Sequence, residues 1–176
     1  MHTAMHTASF VPLWVPAVFV GLLVAGAAQA RTRVVDPRTT AIVALSLFVF
    51  SLWGITRAFG LQPAPLLAWA TGIAASLAAG GRVFVPGGLA RVGERVRVPG
   101  SWLPLALMMA IFTVKTVLGF AVALQLPLAR DPWFAGAAAL ALGLASGGFA
   151  ARALALHRFA ARHGAIVPAA APAAAV

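Results

Sequence analysis

The stretch Ser101–Pro127, SWLPLALMMAIFTVKTVLGFAVALQLP, carries a single charge, Lys115, close to its centre. About 20 apolar residues suffice for a helix to cross the hydrocarbon core of a bilayer. Trp102 to Leu126 is 25 residues, so this run predicts a spanning helix with length to spare. Lys115 stands 13 residues in from Trp102 and 11 from Leu126. At ~1.5 Å per residue that is roughly 17–20 Å from either end. A lysine stem of about 6 Å cannot snorkel so far. Its ammonium must therefore find its solvation inside the protein, where Thr113, Thr116, Ser46, Ser51, Ser146 and backbone carbonyls could supply it. The expectation is that Lys115 faces the bundle interior, near Thr or Ser hydroxyls or a water-filled cavity, and not lipid.

The rest of the chain agrees with a membrane setting. Hydrophobic residues make up 62% of it and charged residues only 9%, against about 25% charged in a soluble domain. The net charge of +10 might suggest nucleic acid, but the arginines sit at the ends of apolar runs, where membrane topology would place them. No nucleic-acid partner is expected. The absence of cysteine excludes disulfides, thiolate metal sites and a cysteine nucleophile.

Five apolar runs predict an all-α bundle of five transmembrane helices over residues 9–160. The spans fall at about 9–30, 40–59, 61–80, 102–126 and 132–151. Residues 1–8, MHTAMHTA, repeat a tetrapeptide. Either Met1 or Met5 suits a start, and His2 and His6 read as a solvated terminus. The first run has no Lys or Arg before it and is long for a signal peptide, so it reads as a retained helix. Arg31–Arg38 reads as a short basic loop. In the third run Ala64, Ala68, Gly72, Ser76 and Gly80 recur at every fourth position, with Leu66, Trp69, Ile73 and Leu77 opposite. In the fifth, Ala135, Ala139, Gly143, Gly147 and Ala151 do the same. Small residues at this spacing let membrane helices approach closely, so Gly72 and Ser76 are expected to pack against Gly143 and Gly147. Residues 82–100 form the one sizeable polar segment, where RVFVPG returns as RVRVPG. Gly93-Glu94 between β-branched residues predicts a short two-stranded hairpin between the third and fourth helices. Residues 161–176 are an Ala/Pro tail with no means of building a core, expected to be disordered.

Orientation follows from the arginines. Alternate flanks carry Arg31, Arg33 and Arg38; Arg82, Arg91, Arg95 and Arg97; and Arg152, Arg158 and Arg162, ten together. The other flanks carry Arg57 and Arg130, and Lys115 completes the 13 basic residues. The positive-inside rule then puts the N-terminus outside and the hairpin and C-terminus in the cytoplasm, in a bacterial inner membrane.

Catalytic chemistry has little to work with. The three carboxylates, Asp36, Glu94 and Asp131, all lie in loops, and topology separates Asp131 from the others. No histidine falls within a span; His157 and His163 lie among arginines, which would repel a metal. There is no G-x-S-x-G, H-E-x-x-H or phosphate-binding glycine loop. No enzyme activity, cofactor or metal is expected. Two functional candidates stand out. Lys115 is one, because an ionisable group within a span is a functional-site hypothesis by default, with a purely structural lysine as the alternative. Arg57, near the end of the second span, is the other. Arg82, Arg91, Arg95 and Arg97 are expected to touch anionic lipid headgroups.

The hairpin running into a spanning helix, RVRVPGSWLPLALMMAIFTVK, resembles a family of small uncharacterised proteobacterial inner-membrane proteins. So do W-G-x-x-R at Trp53, Gly54 and Arg57 and the small-residue fifth span opened by Asp131-Pro132. The resemblance covers roughly residues 9–160 and implies a multi-helix domain of unknown function with no activity attached. The functional expectation is an accessory or scaffolding membrane protein whose partners are the bilayer and a homo-oligomer or membrane-protein neighbour. The alternatives are a transporter or channel component using Lys115 and, with no constellation behind it, a membrane-embedded enzyme.

Overall fold

The computed structural model describes residues 14–84 and 87–162, with backbone only for Trp14 and Arg82. Five helices carry the chain: α1 (Trp14–Gln29), α2 (Pro37–Phe59), α3 (Pro63–Val83), α4 (Leu103–Ala123) and α5 (Pro132–Arg162). Four of them, α2 to α5, are long and apolar enough to cross a membrane; α1 is a shorter apolar helix. Five spans were expected, but the first residues of the expected first span, the tail 1–8 and almost all of the tail 161–176 lie outside the described residues.

Helix boundaries follow local chemistry. Asp36 caps α2, its Oδ1 accepting from the Arg38 N–H at 2.8 Å, and Pro37 occupies the first turn, where a missing N–H costs little. Gly60, at φ 70°, ends the helix in a conformation that penalises a Cβ. The fourth helix stops at Ala123 rather than running to Leu126. Gln125 adopts φ 50°, and Pro127–Arg130 forms a 3-10 turn leading into α5.

The helix α5 is the hub. Of its spanning window 61% is buried, against 17% for α2 and α4 and 28% for α3. The α5 ridge and the Gly72, Ser76 and Gly80 part of the α3 ridge account for this, while Ala64 is exposed and Ala68 half-buried. Ala135, Ala139, Gly143, Gly147 and Ala151 are all buried on α5. A Cβ on Gly143 would run into the Trp69 backbone, and one on Gly72 into the backbone of Leu140 and Leu144. Gly147 lies against Ile73 and Ser76. The buried face of α3 is thus Pro65, Trp69, Gly72, Ser76 and Gly80. Trp69 belongs to this face instead of backing it, because its ring turns toward α2, 4.9 Å from the Phe48 ring.

Close approach is joined to hydrogen bonding. Trp69 Nε1 donates to Ser51 Oγ at 3.0 Å, Ser51 Oγ donates to the Leu142 carbonyl at 3.4 Å, and Ser76 Oγ donates to the Leu144 carbonyl at 2.8 Å. These bonds tie α2 and α3 to α5 within the buried core. Outside this core, α2 turns Ile42, Leu45, Val49 and Trp53 outward. Exposed apolar surface of this kind suits lipid.

At ~1.5 Å per residue the 31 residues of α5 span about 46 Å, well beyond a hydrocarbon core of about 30 Å. A small sheet covers the excess. The expected hairpin forms as β2 (Ala90–Val92) and β3 (Arg95–Val98), turning at Gly93-Glu94 with Gly93 at φ 61°. A third strand, β1 (Arg33–Val35), comes from the segment read as a loop and pairs antiparallel with the other side of β3, giving the order β1-β3-β2. An isolated hairpin is marginal; β1 makes β3 a central strand. Val96 and Val98 then bury against Leu156 and Phe159 of α5. The arginines of β1, β2, β3 and the end of α5 gather at this end of the bundle, whereas Arg57 and Arg130 lie at the other.

Candidate functional site

Lys115 lies 12 residues into α4, about 18 Å along the helix from Leu103. It points toward α2. Its Nζ donates to the Phe50 carbonyl at 2.8 Å and sits 3.8 Å from the centroid of the Phe50 ring. Within α2 that carbonyl already accepts the i+4 amide, here Gly54. A carbonyl oxygen has two lone pairs, so a second donor is admitted. Gly54 makes the approach possible, since a Cβ there would fall on Nζ. The glycine of the W-G-x-x-R motif is the mid-helix feature that sequence alone left without a role.

Around this ammonium α1, α2 and α4 diverge and leave a cavity of about 540 Å³. Val15, Val18 and Leu22 line it from α1, Leu47, Phe50 and Trp53 from α2, and Met108, Ile111, Phe112, Lys115, Thr116, Gly119, Phe120 and Ala123 from α4. Lys115 and Thr116 are the two polar side chains among these. Of the solvating groups expected, a backbone carbonyl holds the lysine and not a hydroxyl. Ser51 and Ser146 are committed to Trp69 and to α5 carbonyls, and Ser46 is exposed on α2. Gly119, on the same face as Lys115, opens the cavity instead of admitting a neighbour, for a Cβ there would meet nothing within 4 Å. Phe112 closes the α1 side, its ring 5.5 Å from that of Phe19.

One Lys N–H is spent on Phe50 and the ring faces the charge, which a cation over an aromatic face welcomes. The two remaining N–H donors stay available toward the cavity. The arrangement can bind an apolar molecule bearing an anionic or strongly accepting group. Among the described residues there is no group of three His, Asp or Glu that could hold a metal ion.

The other sequence-predicted residues are placed as follows. Gly72, Ser76, Gly143 and Gly147 meet at the α3–α5 contact. Arg57 is exposed in the last turn of α2, at the far end of the bundle from the sheet. Arg95 and Arg97 are exposed on β3. Arg91 is turned inward: its Nη1 donates to the Ala160 carbonyl at 2.7 Å and its Nε to the Gly93 carbonyl at 2.7 Å, so it binds the last turn of α5 and the hairpin. The side chain of Arg82 lies outside the described residues.

A family model described as a family of unknown function (DUF6622) matches residues 2–167. No curated protein and no solved structure matches the chain.

Proposed function

The chain belongs to this family of unknown function, DUF6622, and we propose that it is a non-catalytic accessory membrane protein that holds an anionic amphiphile, an alkyl chain ending in a carboxylate, beside Lys115. One observation carries this reading: a lone ammonium, parked on the Phe50 carbonyl, at the wall of a largely apolar cavity of about 540 Å³. That volume is within the usual range of small-molecule sites, about 300–1,000 Å³. Nearly all of the lining suits an alkyl chain, and the lysine supplies the one fixed charge that would select the head. A transport pathway for a polar solute fits less well, because the lining includes two polar side chains and offers few groups to replace a hydration shell. The protein is further proposed to sit in a bacterial inner membrane with the arginine-rich sheet on the cytoplasmic side and the outward faces of α2 against acyl chains or a neighbouring membrane protein.

The test is binding of a fluorescent fatty acid, and of the matching fatty alcohol, to the purified protein in non-ionic detergent. The acid should bind more tightly than the alcohol, and Lys115→Met should abolish that preference while leaving the protein folded. Equal binding of acid and alcohol by the unmodified protein would overturn the reading.

A further inference from the structure

A second cavity, of about 390 Å³, opens at the sheet end of the bundle, where β1, the first turn of α2 and the lower part of α5 meet. Arg33 of β1 and Arg152 of α5 both line it. Arg152 is only 6% exposed. Among the described residues its one hydrogen bond is a long one, from Nη1 to the Phe84 carbonyl at 3.5 Å, and its other nitrogens are not enclosed by protein. Arg33 donates to Gln29 Oε1 at 3.0 Å. The two guanidinium groups are near enough to repel one another. Among the described residues neither has an ion pair. Asp36 also borders the cavity, but its carboxylate caps α2 through the Arg38 amide.

Burying a guanidinium such as that of Arg152 is costly unless an anion compensates it, and a second guanidinium beside it, the exposed Arg33, raises that cost. An arginine is never neutral in a protein, so loss of the proton gives no escape. Among the described residues no carboxylate pairs with either arginine, which leaves the place open to an anion from outside. Planar guanidinium forks match the oxygens of a phosphate in paired hydrogen bonds. The positive end of the α2 dipole, at Thr39 and Thr40, opens on the same space and favours the same charge. On its other side the cavity is apolar, with Val43, Met108, Phe149 and Leu156. This wall continues toward the spanning part of the bundle.

We propose that Arg33 and Arg152 form a binding site for a phosphate group, set where β1 crosses the ends of α2 and α5. The phosphate is that of an anionic phospholipid headgroup, or free phosphate. The apolar wall beneath the arginines suits the glyceryl and first acyl carbons of the lipid. This site is independent of the Lys115 cavity and uses none of its lining but Met108, which borders both.

The experiment measures thermal stabilisation of the purified protein in non-ionic detergent. It is titrated separately with phosphatidylglycerol, phosphatidylcholine and inorganic phosphate. Phosphatidylglycerol stabilising where the other two do not identifies the headgroup. Inorganic phosphate stabilising as well identifies the free anion. Arg33→Gln, at an exposed position that should fold, is expected to weaken the effective ligand by about tenfold or more, the size of one charge-assisted hydrogen bond. Arg152→Lys keeps the charge and removes the fork, and should weaken it similarly. Arg95→Gln, exposed on β3 at the same end, should leave the response intact. No stabilisation by phosphatidylglycerol or phosphate would overturn the proposal. So would an Arg33→Gln response equal to that of the unmodified protein, or an equal loss in Arg95→Gln, which would indicate unspecific attraction to the basic surface.

Discussion

Lys115 of α4 occupies the space that a side chain on Gly54 of α2 would fill. The lysine and the glycine are therefore coupled: with no Cβ on α2 one turn further on, the ammonium has room to sit on the Phe50 carbonyl. Glycine in a helix interior ordinarily costs about 0.5–1 kcal/mol relative to alanine. Here the cost is offset by a solvated charge.

That pairing has a definite sign. Gly54→Ala should destabilise the protein, against the helix propensity of alanine, because it drives Nζ off its acceptor. In a Lys115→Met background the same substitution should be neutral or stabilising by a few tenths of a kcal/mol up to about 1 kcal/mol. A double-mutant cycle by thermal or denaturant unfolding in mild detergent reads the coupling directly. Additive effects would show that the two positions do not act together.

The α3–α5 contact should be equally intolerant. A Cβ on Gly143 meets the carbonyl and backbone of Trp69, which cannot move aside without displacing α3. Gly143→Ala should cost about 1–3 kcal/mol, the range for overpacking a closed interior, and Gly143→Leu more. Gly136, one turn into the same helix, has open space around it, and Gly136→Ala should leave stability unchanged or slightly raised. Equal responses at 136 and 143, measured as melting temperature in detergent, would mean that the ridge meets lipid.

Orientation rests on the arginines. The sheet gathers Arg33, Arg91, Arg95 and Arg97 near the end of α5 that carries Arg152, Arg158 and Arg162. A reporter active only in the cytoplasm, fused after Val176, should be active, and one active only in the periplasm should be silent. The reverse pattern would invert the proposed topology.

Much of this architecture could be read from residue order. Long apolar runs, proline at helix starts and the Gly93-Glu94 turn are local signals, and α2, α3, α4 and the hairpin followed from them to within a few residues, whereas α5 runs 11 residues beyond the span expected for it. The small-residue ridges likewise declared the α3–α5 contact, because period-four spacing places one face of a helix regardless of what it meets. The depth of Lys115 was also legible, since helix rise alone sets it.

Which carbonyl the lysine touches was not legible. Its acceptor is a backbone carbonyl 65 residues away, and every residue has one. Ser51 and Ser146, two hydroxyls that seemed suited to it, belong to another network, fixed by the rotation of α2 about its axis and the inward turn of Trp69. Strand β1 is three residues of an ordinary basic loop until β3 presents a free edge to it. Arg33 and Arg152 stand 119 positions apart and share a cavity only through that pairing and the docking of the sheet on α5. Periodicity and charge count act along the chain and are visible in it. Rotation, edge pairing and the meeting of distant backbones depend on how whole elements pack, and only the tertiary structure decides them.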